Sequence, residues 1–84
     1  MTIRRTVKRV IDGDTFEVAR KIQGTNRIRI AGLNAPDSNQ KGYSEAKNRL
    51  RRLIGSKQVT IVPVNRSYNR LVAHVRRNRK KIRS

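Results

Sequence analysis

The sequence predicts a mainly β domain with a single helix, and three observations carry that prediction. Five short runs are rich in Val, Ile and other strand formers. One run alone repeats its apolar residues at helical spacing. Turn signals containing Gly, Asn or Pro separate the runs. The chain has 84 residues, which is room for one small domain with a thin core.

Residues 6–11 form the first expected strand, through Val7, Val10 and Ile11. Residues 15–22 form the second, through Phe16, Val18 and Ile22. The Asp12-Gly13 step between them is a hairpin signal of the kind that supplies positive φ. Residues 27–31 alternate strictly, so Ile28 and Ile30 share one face while Arg27 and Arg29 share the other. Pro36 ends that strand character. Residues 44–54 read as the helix, because Ala46, Leu50, Leu53 and Ile54 fall on one stripe. Ser44 suits its cap, Glu45 its first turn and Gly55 its C′ position. Residues 59–62 and 71–75 are the last two strands, with a turn over 65–69 between them. The tail 76–84 is almost purely basic and reads as frayed, leaving 1–75 as the domain. Three strands, a helix and two strands is the element order of a five-stranded OB-type barrel.

Charge narrows the function. Lys and Arg number 22 against five Asp and Glu, for a formal charge of +17. Such a chain attracts polyanions, nucleic acid first. An amphipathic segment with bulky apolar anchors is missing, which argues against a membrane partner. The chain has no Cys, which excludes disulfides, thiol catalysis and zinc–thiolate sites. It shows no secretory signal pattern, and the reading favours the cytoplasm over secretion.

The few carboxylates sit in short loops rather than scattered. Asp12 and Asp14 flank Gly13, and Asp37 follows Pro36. The Asp12-Gly13-Asp14-Thr15 segment reads either as a tight turn or as a hard-cation ligand, and the two are compatible. Arg29 sits on the polar face of a strand that leads into the second acidic loop, where a guanidinium can grip a phosphate. Asp37 reads as an exposed loop acid or as a general base for an attacking water. Tyr68-Asn69-Arg70 reads as a hairpin turn or as a stacking ring beside a second phosphate-binding arginine. Arg27, Arg76 and Arg77 would add contacts to the nucleic-acid backbone. His74 has no second His or Cys with which to share a metal, so it reads as structural.

These motifs, taken together, resemble a known family. Asp12-Gly13-Asp14-Thr15, then Arg27-Ile28-Arg29-Ile30-Ala31-Gly32 leading to Pro36-Asp37, then Tyr43 with Glu45-Ala46, then Tyr68-Asn69-Arg70 with Leu71-Val72-Ala73 are similar to staphylococcal nuclease (thermonuclease) domains. Order and spacing agree from about Arg5 to Val75. The resemblance implies an OB-fold barrel and calcium-dependent hydrolysis of DNA and RNA, single strands preferred, with no small-molecule cofactor. It implies Asp14 as a calcium carboxylate and Arg29 and Arg70 as the catalytic arginines. Asp37 occupies the position of the family's catalytic glutamate. Asn34 stands where a second metal-binding aspartate is usual, and Ala35 where a threonine carbonyl often contributes.

The chain departs from that pattern in ways that bear on rate. Asp37 is one methylene shorter than a glutamate, and Asn34 removes a formal negative charge from the metal site. The family's usual C-terminal helices are missing, and Asn69 replaces a glycine in the last turn. Two functions follow. One is a small nuclease with little base specificity that binds calcium mainly alongside a substrate phosphate. The other is a nucleic-acid-binding module on the same fold, with weak or lost catalysis. The oligomeric state stays open.

Overall fold

The computed structural model describes residues 2–36, 38–67, 70–77 and 80–82. In chain order the elements are β1 (Ile3–Asp12), β2 (Thr15–Ile22), β3 (Thr25–Ile30), α1 (Tyr43–Ile54), β4 (Gln58–Ser67), β5 (Arg70–Arg77) and β6 (Lys80–Ile82). The first five strands close on themselves. The hydrogen-bonded order runs β3-β2-β1-β4-β5-β6, and β3 also pairs with β5. The result is a five-stranded barrel with the helix between its third and fourth strands, as the element order predicts.

Period-two alternation builds the interior. Phe16, Val18, Ile28, Ile30, Ile61, Ala73 and Val75 are fully buried, while the residues between them on each strand face outward. Phe16 pairs with Ile28 across β2–β3, and Ile28 with Leu71 across the parallel β3–β5 seam. Each large aliphatic or aromatic side chain so placed contributes about 1.5–3 kcal/mol. The helix adds Leu50 and Ile54 to this core, whereas Leu53 on the same stripe stays 40% exposed. Among the described residues no helix is long and apolar enough to cross a membrane.

Several local expectations are corrected. The helix begins one residue early, at Tyr43. Its N-cap is Gly42 at φ 87° with no side-chain cap hydrogen bond, rather than Ser44. Gly55 is the C-cap at φ −55°, and the left-handed residue is the next one, Ser56, at φ 58°. β4 runs on to Ser67, through the first three of the residues expected to turn, while 68 and 69 lie outside the described residues. Its ladder with β5 shifts register between Pro63 and Asn65 and then continues through Arg66↔Leu71. The bulge falls at Val64, next to Pro63, and the polar run after it pairs rather than loops.

The expectation of a frayed tail after residue 75 also changes. Arg76 and Arg77 belong to β5, and Lys80–Ile82 pair with Val75–Arg77. Ile82 is only 7% exposed and joins the core cluster. One aliphatic residue at the right period is enough to fold a basic segment back onto the barrel.

Candidate nucleic-acid interface

The outer face of β2, β3 and β5 holds the residues of interest, and strand register places them. Thr15 pairs with Arg29 across β2–β3, and Arg29 with Val72 across β3–β5. Paired residues point to the same side, and so do residues two apart on one strand. Because Ile28 and Leu71 point inward, Arg27, Arg29 and Arg70 all point outward. The same register sets Arg70 level with Arg27. A strand spacing of ~4.8 Å and a rise of ~3.3 Å per residue then put the Arg29 and Arg70 Cα atoms about 8 Å apart.

Asp14 reaches Arg29 from the β1–β2 turn. Its carbonyl accepts a 2.8 Å hydrogen bond from the Ile30 amide, which ties the turn to β3. Arg29 Nη2 lies 3.7 Å from Asp14 Oδ2 and donates to Asn34 Oδ1 at 3.4 Å. Thr15 Oγ1 donates to Asp14 Oδ1 at 3.0 Å. The Asp14 side chain is only 13% exposed and that of Arg29 30%. This pairing is less screened than a surface ion pair.

Gly13 holds that turn by close packing. Among the described residues positive φ is confined to Gln23, Gly24, Gly32, Gly42 and Ser56. The positive φ expected at the Asp12-Gly13 step is therefore absent. A Cβ on Gly13 would fall 2.7 Å from the Cβ atoms of both Ala35 and Ala46. Glycine is needed there so that the loop carrying Asn34 and Ala35, and the first turn of α1, can press against the hairpin. An apolar hollow of ≈ 190 Å³ opens beside this contact, with Leu33, Leu53 and Ile82 in its walls.

Tyr43 braces the same hairpin from the helix. Its hydroxyl donates to the Ile11 carbonyl at 3.1 Å. Hydrogen bonding to the Asp12 carboxylate, with desolvation and the Asp12 charge behind it, raises the phenol pKa above its ordinary value.

The structure thus gathers Asp14, Arg29 and Asn34, with Ala35 against the same hairpin and Arg27 and Arg70 on the same face. Asp37 and Tyr68 lie outside the described residues. Arg76 and Arg77 do not join the cluster, because six or more residues of β5 put them about 20 Å or more from Arg70 along the strand. Oxygen donors from Asp14, Asn34 and the Ala35 carbonyl suit calcium in type. They are short of charge: among the described residues no three His, Cys, Asp or Glu side chains group to hold a metal ion.

Sequence reasoning missed Glu17. It lies on the outer face yet is 6% exposed, since Arg9 Nη2 donates to its Oε2 at 3.2 Å and Lys8 Nζ approaches its Oε1 at 4.0 Å. Its place between apolar strand residues carried the signal. An acid isolated within a basic strand pair can be neutralised by cations on the paired strand. In comparisons with known proteins, no protein-family model matches the chain and no curated protein matches it.

Proposed function

We propose that this chain binds single-stranded nucleic acid on the outer face of β3 and β5 and hydrolyses its phosphodiester bonds with calcium. The observation that carries this reading is the Arg29 guanidinium, poised 3.7 Å from the Asp14 carboxylate and 3.4 Å from the Asn34 amide oxygen, with Arg70 diagonal to it. Two guanidinium groups thus share one face with Cα atoms about 8 Å apart, beside a carboxylate and an amide oxygen.

In this reading Arg29 and Arg70 hold the non-bridging phosphate oxygens and stabilise the charge that builds on them. Asp14, Asn34 and the Ala35 carbonyl would hold the calcium, which when bound polarises a phosphoryl oxygen. Asp37, three residues after Asn34 in the chain, takes a proton from the attacking water. The water oxygen forms the new bond to phosphorus, the ester P–O bond breaks, and the leaving oxygen is protonated from solvent.

A second reading, a binding module without turnover, is favoured by one observation: Asp14 already has Arg29 as a partner, and Asn34 brings no charge of its own. Titrating calcium into a labelled single-stranded oligonucleotide separates the two. The nuclease reading expects calcium-dependent cleavage that Arg29→Ala and Asp37→Ala each lower by ~10²-fold or more. Binding that survives EDTA, with a slope of log K against log[salt] near ~−3.5 for about five phosphates and no cleavage at any calcium level, would overturn it for the module.

A further inference from the structure

A second rung of charge lies beside the Arg29 cluster on the same barrel face. Register lines up Arg9, Glu17 and Arg27 across β1, β2 and β3. Glu17, on the outer face, is covered by its cationic neighbours. It anchors Arg9 and Lys8, whose side chains remain 64% and 61% exposed. From the helix side, Lys47 Nζ stands 5.8 Å above the Tyr43 ring, within cation–π range. Arg9, Arg27, Lys47 and Tyr43, with the Val10-Ile11 segment of β1, line an open cleft of ≈ 340 Å³. Three cations line it, Arg9, Arg27 and Lys47, and Lys8 joins Arg9 on the Glu17 carboxylate.

We infer that this cleft is a second backbone-phosphate subsite, so that a bound single strand crosses the barrel from β5 towards α1. The inference rests on the nucleic-acid reading above and gives the strand its direction. Arg27 follows Arg29 on the same face at ~6.6 Å along β3, a step comparable with one nucleotide of an extended strand. Arg9 lies two strands further, about 10 Å away. A phosphate leaving Arg29 therefore meets Arg27 next and the Arg9–Lys47 pair after it. Tyr43, fixed by its bond to the Ile11 carbonyl, gives an aromatic and apolar wall against which a sugar or base packs. Glu17 is a positioning residue here: it holds the Arg9 fork in place rather than touching the ligand.

Binding of oligothymidylates of two and six nucleotides, measured in EDTA so that nothing is cleaved, tests this. Wild type is expected to bind the hexamer more tightly than the dimer and with a steeper salt dependence. The double variant Arg9→Gln/Lys47→Gln, and to a lesser degree each single variant, should keep dimer affinity, lose about three- to ten-fold on the hexamer and flatten the salt slope by ~0.7 per cation removed. A wild-type protein with no length dependence, or variants that keep the full hexamer advantage, would overturn the inference. Arg29→Gln serves as the separate control. If it leaves dimer binding untouched the phosphate site at Arg29 is wrong, whereas loss of the hexamer advantage in the cleft variants still supports the cleft.

Discussion

At one end of β2 the chain reverses through Gly13 and Asp14, at the other through Gln23 and Gly24, and the two reversals use different physics. Gln23 and Gly24 have φ 51° and 83°, the positive pair that a type I′ hairpin demands. A Cβ on Gly24 would meet nothing within 4 Å, and from outside the hairpin Arg66 Nη1 donates to the Gln23 carbonyl at 2.7 Å. Gly13 and Asp14 have ordinary φ, and what shapes their turn is contact with Ala35 and Ala46. One hairpin is set by local backbone preference, with open space beside its glycine. The other is set by packing and carries the acid that meets Arg29. A turn that must hold a functional side chain to within a fraction of an ångström gains from being wedged between two other segments.

The sharpest break of this comparison removes what the wedged hairpin presents. Arg29→Ala should lower cleavage by ~10²-fold or more with little change in thermal midpoint, and steady-state rates with calcium check it. Gly13→Ala comes next: overpacking against Ala35 and Ala46 should cost about 1–3 kcal/mol, and because the Asn34 loop must shift, oligonucleotide binding should weaken as well. Urea unfolding and an affinity measurement on the same sample test both parts. Ile82→Ala empties one wall of the hollow beside Gly13. It should destabilise by ~2 kcal/mol while leaving affinity for a dinucleotide unchanged.

Gly24→Ala is the counterpart at the other hairpin. Strain at positive φ should cost ~1 kcal/mol and leave binding alone, so a binding defect there would erase the distinction between the two turns. The smallest effect concerns pH. The raised Tyr43 phenol stabilises the fold fully below its ordinary value of about 10, and that contribution is lost as pH rises through the folded value. Tyr43→Phe should remove this component, seen as a shallower fall of the unfolding midpoint between pH 9 and 11 relative to wild type.

Element order, the inward set Phe16, Val18, Ile28 and Ile30, and the outward Arg27 and Arg29 were legible because strand periodicity is a local signal. The convergence of Asp14, Arg29 and Asn34 was legible only through motif order, since nothing local joins residue 14 to 34. Gly13 was misread for a physical reason: an Asp-Gly pair announces positive φ, but close approach by residues 22 and 33 positions away decided its role. The length of β4 was hidden because Asn65, Arg66 and Ser67 have turn-like chemistry, and only their partners on β5 make them a strand. β6 was hidden by the charge around Ile82, and Glu17 by the absence of any acid–base spacing within its own strand.

β5 gives one edge to β4 and divides the other, with Leu71–Ala73 taken by β3 and Val75–Arg77 by β6. Should the three residues of β6 peel away, the released half-edge is a template for a strand from another molecule. Mutual repulsion at +17 holds such neighbours apart in free solution. A long polyanion, if bound as proposed, would cancel that repulsion and gather many chains along its length, so the conditions of heaviest loading would also be those in which the last strand guards against self-association.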